Sequence, residues 1–139
     1  MNEGLKQLDV LIGQWVVESK KYSAGRGRAT VGPTEGGKFL RLESTQEDAR
    51  FPQATLLIGS DDEREECTVL YSDAREVRRV YRTSVADGVW KMWREAPEFN
   101  QRFIGQISDD GKTISGGWEM SRDGINWEVD FDLKYTKVR

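Results

Sequence analysis

The chain has 139 residues, enough for one domain with a core of its own. Its 21 basic and 24 acidic residues leave a formal charge of −3, which gives no electrostatic footprint for nucleic acid. There is no histidine, and this excludes His-based acid–base catalysis, Ser-His and Cys-His nucleophiles, and histidine ligation of metal or haem.

Only 37% of residues are hydrophobic, yet 10% are aromatic and they fall in strand-like alternation, which argues against disorder. A barrel with a partly polar interior reconciles low hydropathy with folding. Cys67 stands alone, so no internal disulfide forms. No run approaches the roughly eighteen apolar residues of a spanning helix, and no signal-peptide pattern is present. The expectation is one soluble, cytoplasmic domain over residues 1–139, with no membrane association.

In chain order, Leu5, Leu8, Leu11 and Ile12 recur at helical spacing and Gly13 follows as a C-cap, so residues 3–12 read as a short helix packed on a sheet or plugging one end of it. Gln14 to Tyr22 reads as the first strand, with Trp15, Val17 and Ser19 on one face. Ala24 to Arg28 reads as a turn; it lacks the strand-loop-helix context of a phosphate loop. Strands follow at Lys38 to Gln46, Gln53 to Ser60 and Cys67 to Ser72. Between the last two, Asp61 to Glu66 is a solvated charged turn without the glycine and alternating ligands of a calcium loop.

Three Asp-Gly pairs, at 87–88, 110–111 and 123–124, sit between alternating apolar residues and read as two-residue hairpins. Such turns set register. The first pairs Val85 with Trp90, Thr83 with Met92 and Tyr81 with Arg94, and puts Val77 and Arg79 on the same inner face. Its outer face sets Arg82 over Trp93 as a cation–π contact. The second pairs Ile107 with Ile114, Gly105 with Gly116 and Phe103 with Trp118. The third pairs Met120 with Trp127, Trp118 with Val129, Gly116 with Phe131 and Ile114 with Leu133, with Glu128, Asp130, Asp132 and Lys134 facing out. Phe131 would lie over the bare backbone of Gly105 and Gly116. Eight to ten short strands joined by tight turns predict an all-β fold, an antiparallel up-and-down closed barrel with a short N-terminal helix.

Leu8-Asp9-Val10-Leu11-Ile12-Gly13-Gln14-Trp15 resembles the Leu-x-x-Leu-x-Gly-x-Trp opening of calycin-type barrels. Gly36 to Arg41 and Asn126 to Thr136 resemble segments of bacterial lipocalin-like proteins grouped as domain of unknown function 1579. The resemblance implies a lipocalin-like barrel in a family without an established activity. Related haem-binding barrels depend on a histidine, so haem is not carried over, and no other cofactor is implied.

Arg79 and Tyr81 share a strand face and register adds Arg94 beside Tyr81. The Arg-x-Tyr pair is similar to the carboxylate clamp of fatty-acid-binding proteins, which carry theirs nearer the C-terminus. An inward guanidinium left unpaired costs roughly 3–5 kcal/mol, so these must meet internal carboxylates, water or an anionic ligand. The expected ligand site is Arg79, Tyr81 and Arg94 for polar contacts, with Trp90, Met92 and Trp118 lining a cavity. Cys67 has no basic sequence neighbour and reads as an inert thiol. Three functions follow: binding of a small, partly apolar, anionic molecule; an isomerase or lyase with Tyr81 as acid, for which no inward base is evident; or a homodimeric interaction module joined through an outer face bearing Trp93 and Val89.

Overall fold

Alternation decides which side of each strand meets the core. In the computed structural model, which describes residues 3–21, 26–46 and 52–138, Trp15 and Val17 are buried while Gln14 is exposed, and the same two-residue period runs through most of the ten strands. These are β1 Gly13–Glu18, β2 Gly27–Thr34, β3 Phe39–Gln46, β4 Ala54–Ser60, β5 Cys67–Asp73, β6 Arg78–Ala86, β7 Val89–Arg94, β8 Asn100–Ile107, β9 Thr113–Ser121 and β10 Glu128–Lys137. Each pairs antiparallel with its sequence neighbour, and β10 returns to β1, where Trp15 faces Lys137 and Glu18 faces Lys134. The sheet is a closed barrel and has no free edge. No helix among the described residues is long and apolar enough to cross a membrane.

The N-terminal segment Glu3–Leu11 is a 3-10 helix. Three residues per turn bring Leu5, Leu8 and Leu11 into one line, and all three are buried. It seals one end of the barrel. The Gln7 amide donates to the Glu65 carbonyl at 2.7 Å and accepts from the Val85 N–H at 3.2 Å, while the Cys67 thiol donates to the Gly4 carbonyl. Burial, with Glu66 nearby, pushes that thiol's pKa up, as suits an inert cysteine.

Strand β2 corrects the reading of residues up to Arg28 as a turn. Only Ala29 and Val31 are buried apolar residues there, and Gly32-Pro33 masks the pattern. The β1–β2 ladder ends at Gly13 opposite Val31, so Pro33 faces only β3 and its missing N–H costs little. Strand β1 stops at Glu18; Tyr22 lies outside the described residues.

The three Asp-Gly turns part company. Asp87-Gly88 is a two-residue turn, with φ of 54° and 74° and Ala86 opposite Val89. Around Asp110-Gly111 the register holds, with Phe103 opposite Trp118, but the loop is wider: Gly111 N–H bonds Ser108 O and the ladder resumes at Ser108 and Thr113. Asp123-Gly124 is not a two-residue turn. The Asp123 carboxylate accepts the N–H groups of Ile125 and Asn126 and the Ser121 hydroxyl, which shapes a longer loop. Met120 therefore faces Glu128, and Glu119 faces Val129. A bulge between Val129 and Phe131 then adds one more residue, so Trp118 faces Phe131, Gly116 faces Leu133 and Ile114 faces Tyr135. The total slip of two restores parity for Phe131 and Leu133. Before the bulge parity is reversed, so Val129 is 73% exposed and Glu128 does not share the outward row of Asp132 and Lys134.

Trp15, Trp90, Phe103 and Tyr135 fill the closed half with edge-to-face contacts at centroid distances of 4.9–6.3 Å. Gly116 is required there because a Cβ would lie 1.9 Å from the Ile104 carbonyl oxygen. A Cβ on Gly105 would strike Ile114 and Phe103, so the bare backbone of these glycines admits the neighbouring strand and those two side chains, not Phe131. Outside, Arg102 meets Glu119 at 2.6 Å and lies 4.0 Å over Trp127. Arg82, expected over Trp93, instead reaches Glu66 at 3.3 Å.

Candidate functional site

The end opposite the 3-10 helix carries the polar inner residues. Strand β6 alternates Arg79, Tyr81 and Thr83 inward; β7 sends Met92 and Arg94 inward; β8 adds Gln101, directly across from Arg94. Depth separates them. Thr83 lies in the packed half, where its hydroxyl donates to the Lys91 carbonyl and accepts the Trp90 indole N–H at 2.9 Å. Tyr81 lies nearer the mouth, 5.6 Å from the Trp118 ring and 6.0 Å from the Tyr71 ring. Arg79, Arg94 and Gln101 surround it.

Four contacts define this cluster. The Tyr81 hydroxyl donates to Gln101 Oε1 at 2.9 Å. Arg79 Nη1 donates to the same oxygen at 3.4 Å, and its guanidinium lies 5.3 Å from the Phe99 ring centre. The Arg94 guanidinium lies 5.8 Å from the centre of the Tyr81 ring. Arg94 Nε is buried without a hydrogen-bond partner, the one such side-chain atom among the described residues. Neither arginine forms an ion pair with any described carboxylate.

The nearest buried carboxylate is committed elsewhere. Asp73 ends β5 and takes Arg75 Nη2 at 2.7 Å, the Tyr71 hydroxyl at 2.8 Å and the Arg75 backbone N–H at 2.9 Å. The Arg75 side chain, aided by Tyr71, holds the Asp73 carboxyl well below the usual range. Burial and then the Asp73 bond push the Tyr71 phenol up. This is a structural turn, and Asp73 is committed to it, not to Tyr81.

Of the residues expected at the site, Arg79, Tyr81, Arg94 and Trp118 come together. Trp90 and Met92 lie in the filled half, Trp90 against the rings of Phe103 and Tyr135 and Met92 opposite Phe103. Toward the mouth, inward side chains of Tyr71, Trp118, Met120 and Leu133 are only partly buried, so that half is not packed shut. Gln101 was missed because a lone Gln in an alternating strand carries no chemical signal; its hairpin position opposite Arg94 was the available clue. A concavity of about 820 Å³ follows β5, β6 and β7, and Tyr71, Arg79, Tyr81 and Arg94 of the cluster are among the residues that line it. Outward Leu70, Val80, Arg82 and Trp93 bound it as well, so both faces of these strands contribute to its lining.

No family model matches the chain, and no curated protein matches it in sequence.

Proposed function

We propose that the protein is a non-catalytic, cytoplasmic, lipocalin-like barrel that binds a small, partly apolar, anionic molecule at its open end. One observation carries this reading: two inward guanidiniums face no described carboxylate, and one of them holds a buried N–H with no acceptor. A buried donor without a partner costs about 1–3 kcal/mol, and a bound carboxylate removes that cost. Tyr81, Arg79 and Arg94 supply the donors, and Trp118, Met120 and Leu133 supply apolar wall for a chain or ring. Titration with octanoate, followed by calorimetry and by tryptophan fluorescence, tests this. Arg94→Met and Arg79→Met should each weaken binding about tenfold, the worth of a charge-assisted hydrogen bond. Equal affinity in wild type and both variants refutes it.

The outer wall supports a second reading, a homodimer through β4–β7. Leu57, Leu70 and Val80 stand in register across three strands, and Leu70 and Val80 are 55% and 56% exposed. Sedimentation of wild type against Val80→Asp distinguishes them: a dimer that dissociates in the variant supports the interface, and a wild-type monomer removes it.

A further inference from the structure

The acceptor that satisfies Tyr81 and Arg79 is neutral. Gln101 lies on β8 between Arg94 of β7 and Met120 of β9, and is 9% exposed. Its Oε1 takes both hydrogen bonds, so both lone pairs are used. Its Nε2 carries two N–H groups that donate to no described residue. A carboxamide and a carboxylate have the same planar three-atom head. The place held by Oε1 is therefore shaped for one oxygen of a carboxylate, with charge as the missing ingredient beside two arginines that form no ion pair with a described carboxylate.

We infer that Gln101 is an internal stand-in for the ligand's carboxylate: it competes for Tyr81 and Arg79, and its displacement sets the affinity and the head-group class of the mouth site. This rests on the anion-binding reading above. A ligand carboxylate takes over the two donors that Oε1 occupies, and its second oxygen is available to Arg94. Displaced, Gln101 loses two hydrogen bonds, which lowers the observed affinity. The same geometry prefers a planar carboxylate to a tetrahedral oxyanion, because the head it displaces is a planar carboxamide on the wall between β7 and β9.

Two substitutions test this with the full chain. Gln101→Leu removes the competitor, so octanoate should bind at least about fivefold more tightly, while inorganic phosphate at equal concentration should remain the weaker ligand. Gln101→Glu installs a permanent internal carboxylate, so octanoate binding should fall at least about tenfold and the melting temperature without ligand should rise. If Gln101 contacts the ligand directly through Nε2, Gln101→Leu weakens binding, and the inference is overturned. Unchanged affinity in Gln101→Leu, or a lowered melting temperature in Gln101→Glu, also overturns it. Failure of the underlying site is separately recognisable: wild type itself would then show no octanoate heat, and Arg94→Met would not differ from it.

Discussion

Arg94→Met should make the protein more stable, which is an unusual expectation for an inward side chain. Arginine at this position sets a charged head beside the core, with Nε buried and unpartnered. Relieving an unsatisfied buried donor returns about 1–3 kcal/mol. Methionine keeps most of the apolar stem, so little packing is lost. Against that stands the contact with the Tyr81 ring at 5.8 Å, a long cation–π distance worth about 0.5–1 kcal/mol. The balance is a gain of about 1 kcal/mol, or roughly 3–5 °C in melting temperature for a domain of this size. Urea denaturation with an unchanged slope, checked by calorimetry, measures it. Arg102→Met is the control. That arginine is satisfied by Glu119 at 2.6 Å and by Trp127 at 4.0 Å, so its loss should cost about 1 kcal/mol. If Arg94→Met loses 1 kcal/mol or more, Arg94 is holding the fold together, and the argument from its unpaired Nε fails.

Phe103, 1% exposed and in contact with Trp90, Trp118 and Tyr135, should cost roughly 3–5 kcal/mol on truncation to Ala, and Trp118→Ala less, because Trp118 is only partly buried. Val129→Ser, on the exposed side of the bulge, should stay within about 0.5 kcal/mol; equal losses at Phe103 and Val129 would mean the faces are misassigned. The backbone N–H groups of Lys20 and Lys21, with the Ser19 hydroxyl, lower the Asp132 pKa from 3.8 to about 2. A depressed carboxylate stabilises the fold above its unfolded pKa, and the contribution disappears as pH falls through the folded value. Asp132→Asn should thus melt below wild type near pH 6 and converge with it near pH 2; a constant gap across that range would rule out the ionised carboxylate as the cause.

What the chain reveals unaided is local. Period-two alternation named the buried face of most strands, and the Asp87-Gly88 hairpin told that Arg79, Tyr81 and Arg94 share a side, because a two-residue turn allows one register. Leucines three apart announced a helical segment, and tertiary contact made it 3-10 and placed it over the barrel end. Register failed where a side chain, and not the turn itself, decides the loop: Asp123 gathers two backbone N–H groups, and the same Asp-Gly pair that makes a tight turn at 87–88 opens into a wide loop at 123–124. β2 was invisible because its two buried residues are small relative to the Gly-Pro signal beside them. Closure was suggested by strand number and connectivity, but only the return of β10 to β1 sets the diameter of the bore, and the diameter decides which inward residues meet across it. That is why Trp90 is core and Arg94 is not. Both face inward on one strand, four residues apart, and the rings of Phe103 and Tyr135 reach Trp90, while no carboxylate among the described residues reaches Arg94.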